Sequence, residues 1–197
     1  MKSFRICMQN IRKWGSNSRI KMCLIMSFLF VYSYISGMWK IIPLVGEKMN
    51  PWIFPFLFCW RFMKIVFMAP IVFIFCDAPF IDSNQSYVML RTSRKKWCFG
   101  QVLYIYAGSV IYAFVLFFST IIINIGHIKW GTSWGKVLGS AGTSTVLSTL
   151  GINYTTVKVP TIVIRYYTPA QAMFFSFLLM VLSFIFIGLL IYTVNVI

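Results

Sequence analysis

Four apolar runs, at 22–39, 53–76, 100–125 and 170–197, limit what this chain can fold into. A hydrocarbon core about 30 Å thick is crossed by roughly 20 helical residues, and each run is close to or above that length. Backbone groups in lipid must be bonded internally, so the runs are expected as helices, and they lack the short alternating segments of a transmembrane barrel. A hydrophobic fraction of 59%, a charged fraction of 11% and a mean hydropathy of +0.81 exclude an ordinary soluble domain. The expected fold is an all-α integral membrane protein, one transmembrane domain over residues 1–197 with four spans.

Lys and Arg set the orientation. Lys2, Arg5, Arg12, Lys13, Arg19 and Lys21 precede the first span, and Arg91, Arg94, Lys95 and Lys96 follow the second. These compact clusters outweigh Lys40 and Lys48 after span one and the dispersed Lys129, Lys136, Lys158 and Arg165 between spans three and four. The N-terminus is therefore expected in the cytosol of a multi-pass cell-membrane protein. Trp39, Trp52 and Trp97 fall near the ends of spans, as interfacial aromatics do, and Trp130 and Trp134 belong to the outer segment between spans three and four. The basic region before residue 22 and the length of the first run favour an uncleaved anchor over a signal peptide. A net charge of +15 raises nucleic acid as a partner. Most of that charge flanks spans, where anionic lipid headgroups attract it, and no nucleic-acid-binding module is present, so the bilayer is the expected partner.

Residues 2–14 show helical periodicity. Phe4, Cys7 or Met8, Ile11 and Trp14 form an apolar stripe beside Lys2, Arg5, Gln9, Arg12 and Lys13, which predicts a helix lying in the membrane interface. Gly15 is a plausible stop, and Asn17 or Ser18 can cap the helix that follows. Between spans two and three, the residue before Pro79 avoids the helical region, and Asp82 with Gln85 resembles a capping box. A short helix over 83–94 is expected there, with Tyr87, Leu90 or Arg91, and Arg94 on one face. Such a structured basic loop reads as a docking point rather than a slack connector.

In span two, Arg61 and Lys64 share a helical face. Snorkelling to headgroups is the simpler reading, and a basic patch on a translocation path, with Gln101 of span three, is the sharper one. Residues 126–169 combine a four-residue repeat of Gly131, Gly135 and Gly139 with a moderately alternating 156–164, which suggests a short extended piece.

Residues suited to catalysis are scarce. His127 is the one histidine, and Glu47, Asp77 and Asp82 are the only acids. Neither a metal site nor a histidine base is supported, and no cofactor is expected. Residues 131–137 have the wrong spacing for a phosphate-binding loop and no Ser or Thr after Lys136. The five cysteines lack metal spacing and read as small apolar residues. The chain is not expected to be an enzyme.

The run Asp77-Ala78-Pro79-Phe80-Ile81-Asp82, then Tyr87, Arg91, Arg94, Trp97, Gln101 and Tyr104, followed by Trp134-Gly135-Lys136-Val137-Leu138, resembles the membrane subunits of ABC-2-type ABC transporters, particularly small, separately encoded permeases of Gram-positive bacteria. The likeness runs best over 75–138. It implies that residues 1–18 form an elbow helix and that 83–94 form a coupling helix. It further implies that the four spans are part of a six-helix domain. Asp77, Pro79, Phe80, Asp82, Tyr87, Arg91, Arg94 and Trp97 would then couple to a cytosolic ABC ATPase subunit, with a second membrane subunit completing the permease. An exporter of a peptide, antibiotic or other amphipathic substrate is the implied activity. The alternative is a small membrane protein of the bacteriocin immunity or stress type that acts without an ATPase.

Overall fold

The structure, a computed structural model, describes residues 2–79, 92–142 and 157–196. Among these residues the elements are helical throughout: α1 (Lys2–Arg12), α2 (Ser18–Ser36), α3 (Ile42–Val45), α4 (Arg61–Phe75), α5 (Arg94–Asn124), α6 (Gly135–Ala141), α7 (Thr161–Tyr166) and α8 (Pro169–Val196). Short 3-10 segments at Lys13–Gly15, Gly37–Lys40, Phe54–Phe58 and Ile125–His127 join some of them. The turn after α1 ends at Gly15, as the sequence suggests. The Asn17 side chain then accepts the Arg19 amide at 3.0 Å, capping α2.

Among the described residues, three stretches are long and apolar enough to cross a membrane: Ser18–Val45, Arg94–His127 and Pro169–Val196, of 28, 34 and 28 residues. They correspond to the first, third and fourth expected spans. The expected second span, 53–76, is a continuous α-helix only over Arg61–Phe75, 15 residues or about 22 Å at 1.5 Å per residue. Pro51 and Pro55 each remove an amide donor, and Phe54–Phe58 tightens into a 3-10 segment with Pro55 in its first turn. Phe54, Phe56 and Leu57 are fully buried, so this apolar segment is used inside the protein fold. The expected extended piece at 156–164 is also corrected. Of its described residues only 157–160 are non-helical, and Pro160, extended at φ −68° and ψ 123°, precedes α7.

The described residues fall into two compact clusters. The first draws on Met1–Met26, Met68–Phe114 and Met180–Ile197. Phe75 is central to it, meeting Tyr104 edge-on at 5.7 Å. Two glycines let the helices close on that ring. A Cβ at Gly188 would lie 2.6 Å from Ile105 Cγ2 and 3.0 Å from Phe75, and one at Gly108 would lie 3.0 Å from Phe75. Small residues allow such close approach between helices in membranes, where packing rather than water exclusion drives association.

The second cluster draws on Ser27–Phe67 and Val115–Leu179. Met49 pairs with Ile128 in an isolated parallel bridge, with Met49 N–H to His127 O and Lys129 N–H to Met49 O both at 2.9 Å. Trp39 stacks on His127 at 4.9 Å and donates to Asn124 at 3.1 Å. Trp52 donates to the Gly131 carbonyl at 2.8 Å, and Trp134 to the Tyr167 carbonyl at 2.9 Å. Glu47 and Lys136 form an exposed ion pair at 2.7 Å. Gly135 takes φ +74°, with its α-carbon face against the Asn50 amide, a place where only glycine fits without strain.

Candidate partner-docking site flanking residues 80–91

Phe80, Asp82, Tyr87 and Arg91, with most of the expected 83–94 helix, lie outside the described residues. Both flanks of that segment are described, and each is tied down by side chains far away in sequence.

On the first flank, α4 ends at Phe75, and the Ala78 amide still bonds the Phe75 carbonyl at 2.9 Å. The carbonyls just beyond a helix end lack partners in the helix. Asn195 of α8 supplies one: its Nδ2 donates to Cys76 O at 2.9 Å and to Ala78 O at 2.7 Å. Between these carbonyls, Asp77 receives the Arg19 guanidinium on both carboxylate oxygens, with Nη1 to Oδ1 at 3.3 Å. The Arg19 hydrogen bond, joined by one from the Cys76 thiol at 3.5 Å, holds the Asp77 carboxyl below the usual carboxylate range. The pair is part-exposed, so its role is to fix geometry more than to add stability. Pro79 is half-buried beside it.

On the second flank, Ser93 adopts φ +68°, and α5 begins at Arg94 with the Trp97 amide bonded to the Ser93 carbonyl at 3.1 Å. Arg94, Lys95 and Lys96 are exposed, while Trp97 is buried. Here α1 runs alongside α5 in the same direction. Ser3 Oγ donates to Lys96 O at 2.8 Å, Asn10 Nδ2 to Gln101 Oε1 at 3.0 Å, and Trp14 Nε1 to the Tyr104 hydroxyl at 2.9 Å. Gly100 makes this possible, since a Cβ there would sit 3.0 Å from both Ile6 Cβ and the Ser3 carbonyl.

Of the residues placed on a translocation path, Gln101 is buried in the first cluster and bonded to Asn10. Arg61 and Lys64 belong to the second, exposed on the first turns of α4. Sequence reasoning passed over Arg19, Asn195, Ser3 and Asn10. Two signals pointed to part of this set: Arg19 is a cation at the very start of a span, and Asn195 is an amide near the end of an otherwise apolar one.

No family model, curated protein or solved structure matches this chain.

Proposed function

We propose that the chain is a membrane-spanning permease subunit of an ATP-driven ABC transporter of the ABC-2 type. Residues 77–97 couple it to a separate cytosolic ATPase, a second membrane subunit completes the path, and hydrolysis occurs in the partner chain. The protein sits in the cell membrane with its N-terminus in the cytosol. The substrate class is a peptide, antibiotic or other amphipathic molecule, and the direction is export.

The observation that carries this reading is the anchoring of both flanks of residues 80–91. Arg19 and Asn195 hold the end of α4, and Ser3, Asn10 and Trp14 hold the start of α5. A segment fastened at both ends passes an applied force into the helices it joins, whereas a slack loop absorbs it. The Ser3–Lys96 bond also puts the basic N-terminal segment beside Arg94, Lys95 and Lys96, which agrees with both lying on one side of the membrane.

Charge reversal of Arg91 and Arg94 tests this. Transport falls to background while membrane insertion and expression stay at wild-type level; unchanged transport refutes the docking role. The rival is a small membrane protein of the immunity or stress type that acts without an ATPase. That reading requires tolerance of changes at 77–97 and no ATPase partner.

A further inference from the structure

Helix α1 presents three stripes, of which one is buried against the described residues. Ile6, Cys7 and Asn10 are buried, with Trp14 of the 3-10 segment that follows. At about 100° per residue, Ile11, Phe4 and Met8 follow as a second stripe, and Arg12, Arg5 and Gln9 as a third. Phe4 is 57% and Met8 38% exposed, and Ile11 is half-buried. Arg5, Gln9 and Arg12 are exposed, as are Arg94, Lys95 and Lys96 at the start of the neighbouring α5. Among the described residues of this cluster Asp77 is the sole acid, and Arg19 occupies it. Among the described residues, therefore, the cationic stripe has no acidic side chain of its own cluster to neutralise it.

We infer that the free face of α1, with the exposed cations at the start of α5, is a docking surface for the anionic phospholipid headgroups of the adjacent leaflet. The order of the stripes selects this occupant. An apolar strip beside a cationic strip matches the boundary between acyl chains and phosphate, and positive charge there favours anionic over zwitterionic lipid. An acidic soluble protein would satisfy Arg5 and Arg12 but leave Phe4 and Met8 facing water. The surface has a consequence for the adjoining segment. Because α1 is bonded to α5 at Lys96 and Gln101, and the 3-10 segment after it at Tyr104, headgroups that hold α1 also hold the start of α5. This inference goes beyond the transporter reading and does not rest on it, since its test contains no ATPase.

The test is native mass spectrometry of the purified full chain titrated with phosphatidylglycerol or phosphatidylcholine, with Arg5→Gln/Arg12→Gln and Arg5→Lys/Arg12→Lys variants alongside. Both arginines are exposed, so the fold is expected to survive, and hydrogen exchange across α5 verifies that it does. Each cation contributes about five-fold to anionic-lipid binding. Phosphatidylglycerol therefore binds the wild type at least about 25-fold more tightly than phosphatidylcholine. The glutamine pair loses about 25-fold for the anionic lipid and nothing for the zwitterionic one, while the lysine pair stays near wild type. Equal affinity for the two lipids overturns the inference, as does an unchanged preference in the glutamine pair. Loss of a co-purifying acidic protein from that pair, without any lipid preference in the wild type, assigns the surface to a protein and also overturns it.

Discussion

The Asn10–Gln101 hydrogen bond gives the sharpest handle on how α1 is held. Asn10 is 4% and Gln101 1% exposed, and they meet at 3.0 Å across 91 residues of sequence. Changing Asn10 to Leu leaves the Gln101 carbonyl buried without this donor, and Gln101→Leu strands the Asn10 amide. Leaving one buried partner unsatisfied costs about 1–3 kcal/mol, whereas replacing both by apolar groups of similar shape is close to neutral. Interhelical hydrogen bonds in membranes couple by about 0.6 kcal/mol on average and up to about 1.7. Since 1.4 kcal/mol is ten-fold, each single variant should raise the opening of α1 about 5- to 150-fold, read by hydrogen exchange at its amides in detergent or nanodiscs. The double variant should open less than the product of the two single effects, with coupling between about 0.6 and 2 kcal/mol. Additive single effects, within about 0.3 kcal/mol, would refute the idea that this bond fastens α1 to α5.

Other positions yield narrower expectations. The Asp77 carboxyl is held low by Arg19, so the pair adds stability above roughly pH 4 and loses it as pH falls through the lower folded value. Half-exposed as it is, the contribution is at most about 1 kcal/mol, and Asp77→Asn should flatten the acid limb of Tm measured from pH 3 to 7; parallel curves count against the pair. Gly188→Ala drives a methyl to 2.6 Å from Ile105 and should cost about 1–3 kcal/mol, partly recovered by Ile105→Ala in the same chain, as read by thermal denaturation. Gly135→Ala, at φ +74° and with Asn50 Cγ 3.0 Å from the new Cβ, should cost about 1 kcal/mol or more. An unchanged Tm would contradict the left-handed backbone there.

Local patterns were legible in the sequence, and long-range pairings were not. The three long apolar helices follow from uninterrupted hydrophobicity, and α1 from its 3.6-residue period. The Asn17 cap follows from a short polar side chain just before a helix. Hydropathy misread 53–60, because it scores Phe54, Phe56 and Leu57 alike whether they face lipid or pack against other side chains; the prolines at 51 and 55 were the better signal. Alternation likewise carried the extended reading of 156–164 past Pro160 into what is α7. At the candidate site, the sequence pointed to Asp77, Pro79, Arg94 and Trp97. What fastens this region comes from Arg19, 58 residues before Asp77, and from Asn195, 117 residues after Ala78. No single-sequence period connects residues so far apart. The stripe on α1 was read with Cys7 and Met8 as alternatives, and the structure separates them, Cys7 buried and Met8 38% exposed, with Gly100 of α5 closing against the neighbouring Ser3 and Ile6.

The central claim is that residues 77–97 are gripped by a separate motor protein. The direct measurement is photo-crosslinking from a benzoylphenylalanine placed at position 87, in native membranes, followed by mild-detergent purification of the tagged chain and peptide identification of the adduct. The account predicts a nucleotide-binding subunit both co-purifying and joined to that position, with the adduct lost when Arg91 and Arg94 are reversed in charge. A chain that purifies without any ATPase, and whose position 87 links only to lipid or to itself, contradicts it.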